Sequence, residues 1–159
     1  MTRIDFYQIE TRETEAAFTC RLVDKIYHLG HRIYVHADTM MAVEELDELL
    51  WSFKSDRFIP HCLLSTDDTP IHIGCDTMSA IDVSLPCDDV LINLSGKVPD
   101  FFSRFTRVAE VVPLDQNSRD AARQNYRFYN DRGYPLKYHR MQEARQSSSR
   151  GNRRQGETE

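Results

Sequence analysis

Three arginines and one tyrosine recur at helical spacing in the last third of the sequence. Arg119, Arg123 and Arg127 stand four residues apart, and Tyr126 directly precedes the last of them. At about 100° per residue, the four side chains share one stripe about 100° wide on a helix. A guanidinium group presents a planar fork of donors that suits bidentate binding of carboxylates, and tyrosine adds an apolar wall with a polar tip. The stripe therefore predicts a binding surface for an acidic partner.

The pattern alone leaves the meaning of this stripe open. Most charged runs on helices are solvated polar faces, although like charges four residues apart weaken a helix by about 0.2–0.5 kcal/mol per pair. Arginine and tyrosine are also enriched among the residues that dominate binding at interfaces. An acidic peptide, a phosphate group and single-stranded DNA each fit such a surface.

The glycines argue against a nucleotide-binding loop. A phosphate-binding turn needs closely spaced glycines, and neither G-x-G-x-x-G nor G-x-x-x-x-G-K-[ST] occurs. The segment after the first predicted strand, residues 10–13, carries two glutamates that would repel phosphate. The four glycines within the predicted domain stand far apart, at Gly30, Gly74, Gly96 and Gly133.

Metal binding and nucleophilic catalysis also lack a sequence signal. His61-Cys62 and His72-x-x-Cys75 are the only suggestive groupings, whereas a tetrahedral zinc site usually shows two tight ligand pairs. No G-x-S-x-G elbow occurs. We therefore expect no metal, no cofactor and no catalytic residue.

Strand-like and helix-like segments alternate along the chain. Beta-branched or alternating runs indicate strands, and apolar residues at 3.6-residue spacing indicate helices. This order predicts an α/β fold with a mainly parallel sheet flanked by helices. Residues 52–70 are predicted to be mostly loop. The predicted strands cover 4–9, 33–35, 90–94 and 108–112, with weaker strand material at 71–73 and 78–83, and the predicted helices cover about 14–29, 40–51 and 117–132.

The charge is distributed unevenly over the 159 residues, which suit a single domain. Residues 1–98 contain 8 Lys/Arg and 17 Asp/Glu, whereas residues 99–159 contain 12 Lys/Arg and 8 Asp/Glu. This asymmetry indicates a directed electrostatic surface, since a general nucleic-acid binder is usually basic throughout. We predict a domain over residues 1–141 and a disordered polar tail over 142–159, because residues 146–159 have no apolar side chain.

The sequence also bears on location. The first residues lack the apolar stretch of a signal peptide, and no apolar run approaches the roughly 18–20 residues of a membrane span. The four cysteines are scattered, as reduced and mostly buried side chains would be. These features predict a cytoplasmic protein that does not contact a membrane.

A series of motifs over residues 4–138 carries a family resemblance. The motifs occur in order at Phe6-Tyr7, 46–51 (LDELLW), 58–61 (FIPH), 89–94 (DVLINL), Phe105, 111–113 (VVP) and 122–129 (AR-x-x-YR-x-Y), closing at Gly133. In combination they resemble the chi subunit of bacterial DNA polymerase III holoenzyme. The resemblance implies a Rossmann-like α/β fold without nucleotide-binding activity, in a non-catalytic subunit of a DNA polymerase assembly.

The resemblance further implies two protein partners. One is the acidic C-terminal tail of single-stranded DNA-binding protein, which ends in a phenylalanine. The other is the psi subunit, which links chi to the clamp loader, and an accessory helicase can compete for the psi-binding surface. DNA contact would then be indirect.

When the family's binding positions are transferred residue by residue to this sequence, the resemblance implies residues for both binding surfaces. Arg119 and Arg127 would replace lysines common at those positions, and Val112 with Tyr126 would line a slot for the phenylalanine ring. The tail-binding residues would be Val112, Arg119, Arg123, Tyr126 and Arg127.

For the psi subunit, the resemblance assigns Phe58 and Trp51. Trp51 is predicted on the apolar side of the second helix, where either a core or an interface role is open. Phe58 falls in a predicted loop beside Pro60, where an apolar ring is less easily explained as core.

Two other functions remain alternatives at this level. A small α/β enzyme acting on a nucleotide or phosphorylated metabolite would need a phosphate cradle. Direct binding of single-stranded nucleic acid through the arginines would have to overcome the acidic first part of the chain.

Overall fold

The computed structural model describes residues 1–53, 60–63, 69–76 and 88–142. The helices are α1 (Glu15–His28), α2 (Met40–Ser52) and α3 (Gln116–Asp131), and a short 3₁₀ helix covers Phe102–Arg104. The strands are β1 (Arg3–Ile9), β2 (Ile33–Ala37), β3 (Cys62–Leu63), β4 (Ile71–Cys75), β5 (Val90–Asn93), β6 (Arg107–Val112) and β7 (Leu136–Met141).

One sheet unites the strands in the order β3-β4-β2-β5-β6-β1-β7. All pairings between the described strands are parallel. The α/β, Rossmann-like fold class predicted from the sequence is therefore confirmed. β1 lies between β6 and β7, so α3 crosses over β1 as it connects its two neighbours.

Helix boundaries follow from capping side chains and glycine. Thr14 begins α1 by accepting a hydrogen bond from the Ala17 amide, and Asp115 does the same for α3 from the Ser118 amide at 2.9 Å. Gly133 follows α3 with a φ of +80°, a backbone conformation that side chains other than glycine rarely adopt. These ends lie within one or two residues of the predicted helices over about 14–29 and 117–132.

Alternate residues of the central strands pack into two cores on opposite faces of the sheet. On one face Tyr7 and Val35 pack against α1 and α2. On the other face Phe6 and Tyr34 pack with the 3₁₀ helix and with α3. The sheet therefore separates α2 from α3 completely.

Two strands were not predicted from the sequence. β3 is only two residues long within a stretch predicted as mostly loop, and β7 is a largely exposed edge strand. The weak strand prediction at 78–83 and the tail beyond residue 142 lie outside the described residues. None of the helices in the described ranges has the length and apolar character that crossing a membrane requires.

Candidate functional site

Helix α3 buries one side and exposes the predicted stripe on the other. Ala122 and Tyr129 are buried against the sheet, whereas Arg123 and Arg127 are exposed and Tyr126 is half-buried. At about 100° per residue, Ala122 and Tyr129 lie about 40° and 60° from Tyr126 around the helix, so Tyr126 stands at the border between the buried side and the exposed arginines. The exposed arginines are therefore a consequence of how α3 is rotated on the sheet.

A buried carboxylate fixes that rotation. The carboxylate of Glu110 on β6 accepts hydrogen bonds from the Tyr129 hydroxyl at 2.6 Å and from the Asn93 side-chain amide at 2.9 and 3.0 Å. Burial raises the pKa of Glu110 to about 7, although these two donors act in the opposite direction. Neither Glu110 nor its network was singled out from the sequence, because a lone glutamate in a strand carries no signal.

Between α3 and β7 lies a groove of about 460 Å³, which we call the α3–β7 groove. It brings together three of the predicted residues and adds two. The lining residues are Arg123, Tyr126, Arg127, Asn130 and Tyr138.

The groove presents two guanidinium groups to solvent. The Nη1 atom of Arg123 lies 2.6 Å from a carboxylate oxygen of Asp120, and both side chains are more than half exposed. Arg127 forms no ion pair with any residue in the described part of the chain. A ligand carboxylate can therefore bind directly to Arg127, whereas at Arg123 it would replace the carboxylate of Asp120.

Arg119 takes a different position from the other two arginines. It lies outside the groove lining, and its Nη2 atom donates a hydrogen bond to the Ile9 carbonyl at 3.3 Å. Its Nε atom is buried and has no hydrogen-bond partner among the described residues. Arg119 thus ties α3 to the end of β1, at the margin of the groove.

The structure separates Val112 from the groove. Val112 is only 3% exposed, and it belongs to the core beneath α3. Val112 instead lines a second cavity of about 690 Å³, and none of the five residues that line the α3–β7 groove lines this cavity. The position assigned to a ring-binding slot by the resemblance is therefore not part of the exposed groove in this chain.

This second cavity lies beyond the carboxyl ends of the strands, where open α/β sheets commonly bind nucleotides. Its carboxylates come from Glu15, Asp38, Glu110 and Asp115, and Lys97 is the one cation among the described residues that line it. The pKa of Glu15 is raised to about 7. Burial is the largest cause, and the nearby carboxylates of Asp115, Asp38 and Glu45 raise the pKa further. An acidic cavity of this kind disfavours the phosphate groups of a nucleotide.

Trp51 lies on α2, on the opposite face of the sheet. The prediction that it lies on the apolar side of this helix is wrong, because Trp51 is 59% exposed whereas the neighbouring Leu50 is buried. The centroid of its indole ring lies 4.6 Å from the centroid of the His61 ring. Phe58 falls outside the described residues.

Metal ligation finds no support in the described ranges, where no group of three or more His, Cys, Asp or Glu side chains converges. Asn130 and Tyr138 line the groove but were not predicted from the sequence. Asn130 follows Tyr126 by four residues, so helical spacing could have identified it. Tyr138 could be found only through the pairing of β7 with β1.

Comparison with known proteins gives consistent matches over nearly the whole chain. A family model described as DNA polymerase III chi subunit, HolC, matches residues 1–137. DNA polymerase III subunit chi of Pseudomonas aeruginosa is 39% identical over 144 residues, which cover 89% of this chain and 98% of that protein.

Two further relatives have the same description. The Haemophilus influenzae protein is 29% identical over 77% of this chain and 85% of its own length. The Escherichia coli protein is 27% identical over 74% of this chain and 79% of its own length.

Proposed function

This chain belongs to the family of the DNA polymerase III chi subunit, and we propose that it is a non-catalytic adaptor of the cytoplasmic replication machinery. In this role it joins the clamp loader, through a psi subunit, to the acidic C-terminal tail of single-stranded DNA-binding protein. Its contact with DNA is then indirect, and it requires no cofactor.

The observation that carries this proposal is the α3–β7 groove. Arg123 and Arg127 give it two exposed positive charges within a chain whose net charge is −5. Tyr126 adds a half-buried aromatic surface beside them. A short acidic peptide that ends in an aromatic residue matches both properties, because its carboxylates and its ring each find a complementary group.

The proposed psi-binding surface lies on the opposite face, around Trp51. A tryptophan with more than half of its surface exposed is typical of interface anchors. An accessory helicase that used the same surface would compete with psi and leave the α3–β7 groove open. The position of the two surfaces supports an adaptor that holds both partners at once.

Isothermal titration with a synthetic tail peptide tests the proposal directly. We expect the full-length chain to bind a peptide with the acidic C-terminal sequence of the coating protein, and to bind it more weakly as salt is added. Adding the psi subunit should leave the tail affinity unchanged. The proposal fails if the peptide does not bind at low salt, or if psi and the peptide exclude each other.

Asp120 provides a test in the opposite direction. Its carboxylate forms an ion pair with Arg123 in the free protein and repels an incoming acidic peptide. Because both side chains are exposed, we expect Asp120→Asn to tighten tail binding only modestly, by about two- to fivefold. The same titration measures this effect, and weaker binding by the variant would contradict the assigned position of the peptide.

A further inference from the structure

Given the function proposed above, on which the identity of the displaced partner rests, we propose that this chain carries its own competitor for the α3–β7 groove. The competitor is the acidic segment Glu157-Thr158-Glu159, which binds back to Arg123 and Arg127. The contact is autoinhibitory, because the two arginines cannot pair with these glutamates and with the carboxylates of a partner peptide at the same time.

The segment that carries these glutamates lies beyond the part of the chain that matches the family. The family model ends at residue 137, and the Pseudomonas aeruginosa protein is matched over 98% of its own length but over 89% of this chain. Residues 146–159 contain three arginines, two glutamates and no apolar side chain. Charge, and not the burial of apolar surface, is therefore what this segment can contribute to a contact.

The chain leaves the described fold beside the groove. β7, which supplies Tyr138 to the groove lining, ends at Met141. At about 3.3 Å per strand residue, the end of β7 lies about 10 Å from Tyr138. The 15 residues that follow Gln142 reach up to about 50 Å when fully extended. The glutamates at the end of this stretch can therefore reach every position along the groove.

Guanidinium groups lie on the path from the end of β7 into the groove. Burial raises the pKa of the Tyr138 hydroxyl. Arg119, Arg123 and Arg140 lower this pKa, so all three of these cations lie near the hydroxyl. A carboxylate that follows the chain out of β7 is thus attracted toward the groove before it makes any direct contact.

The groove itself keeps positive charge that the described residues do not neutralise. Asp120 pairs with Arg123, whereas Arg127 has no ion pair in the described part of the chain. A tethered carboxylate competes at an effective concentration that reaches the millimolar range for short tethers. Even a weak pair with Arg127 is then populated in the free protein.

The spacing of the two glutamates matches the spacing of the two arginines. In an extended segment, residues two apart lie on the same side at a separation of about 6.6–6.8 Å. Residues four apart on a helix are separated by about 6 Å along its axis. Glu157 and Glu159 can therefore face Arg123 and Arg127 together, with one carboxylate for each guanidinium group.

The arginines of the same segment do not cancel this match. Arg153 and Arg154 precede Glu157 by four and three residues, which in an extended segment is about 10–13 Å. This separation is at or beyond the screening length of about 8–10 Å at physiological salt, so their repulsion from the groove is reduced.

The test uses the full-length chain with Glu157→Gln and Glu159→Gln combined. Glu44→Gln with Glu48→Gln is the matched control, because it changes the net charge equally at two exposed positions of α2, across the sheet from the groove. One readout is the set of backbone amide NMR signals of α3 in the free protein. The other is the calorimetric affinity for a peptide with the acidic C-terminal sequence of the coating protein.

We expect the tail variant to shift the amide signals of Arg123 and Arg127 in the free protein, because their counter-ions are removed. It should bind the acidic peptide about two- to fivefold more tightly than the wild type, the range of one or two exposed ion pairs. This gain should shrink as salt is added. The control variant should resemble the wild type in both readouts.

The outcomes separate this inference from the proposed function. Unchanged α3 signals in the tail variant overturn the contact, and normal peptide binding then leaves the proposed function standing. Shifted signals with an unchanged peptide affinity overturn the competition. An equal gain of affinity in the control variant also overturns it, because net charge then explains the gain. Shifted signals in a chain that binds no acidic peptide keep the contact and overturn the proposed function.

Discussion

Replacing both Arg123 and Arg127 with alanine is expected to weaken binding of the acidic tail peptide by about 100-fold. Hydrogen bonds to charged groups contribute about 1.5–3 kcal/mol each, and exposed ion pairs contribute about 0.2–1 kcal/mol. Two partly exposed arginines that share one peptide fall between these limits, at about 1.4 kcal/mol or tenfold each. Each single variant should therefore show about a tenfold loss, unless the remaining arginine compensates.

The loss should appear in binding and not in folding. Both side chains are exposed, so the melting temperature of the double variant should stay close to that of the wild type. Arg104→Ala is a matched control, because Arg104 is an exposed arginine on the 3₁₀ helix, outside the groove. Normal peptide binding by the double variant would show that the tail does not use the α3–β7 groove.

The second large effect concerns stability, and it comes from Glu110. Its folded-state pKa of about 7 lies above the ordinary value of 4.5, so the folded protein holds this proton more tightly than the unfolded chain does. The free energy of unfolding therefore falls as pH rises from 4.5 to 7 and then levels off. Between pH 5 and pH 8 we expect Glu110 to lower it by about 2–3 kcal/mol.

The comparison with Glu110→Gln isolates this contribution. Other titrating groups, including the buried His36, are common to both proteins and cancel in the difference. Urea unfolding at several pH values should show that the wild type loses stability relative to the variant as pH rises. Asp131→Asn, which removes an exposed carboxylate at the end of α3, should track the wild type at every pH. Parallel curves for Glu110→Gln and the wild type would contradict a raised pKa at Glu110.

The stripe on α3 was predictable because its information is local. Helical spacing alone places Arg123, Tyr126 and Arg127 side by side, and Asp115 and Gly133 mark the ends of the helix. Buried parallel strands such as β5 are similarly visible as short apolar runs. The order of strands and helices was therefore sufficient for the fold class.

The groove itself was not predictable, because tertiary packing creates it. Tyr138 belongs to a strand whose sequence, LKYHRM, has no clear apolar alternation, and its pairing with Phe6 depends on the register of β7 against β1. Val112 and Val111 are both buried although they point to opposite faces. Only the packing of α3 over Val112 removes it from the surface.

Trp51 illustrates the same limit within a helix. Leu49, Leu50 and Trp51 form a continuous apolar run, so the pattern cannot tell which of them faces the sheet. One residue along a helix is a rotation of about 100°, which is enough to turn a core residue into an exposed one. The rotation of α2 is set by the buried residues Val43, Leu46 and Leu50 together.

The two edges of the sheet bear on how this protein behaves at high concentration. An open sheet can pair edge-to-edge with another copy and polymerise, and natural proteins prevent this with very short or charged edge strands. β3 has only two residues, and β7 carries Lys137, His139 and Arg140 along its exposed length. Two β7 edges brought together would bring Lys137 and Arg140 of one copy close to the same cations of the other. The β7 strand that supplies Tyr138 to the groove thus also disfavours edge-to-edge pairing between two copies of the chain.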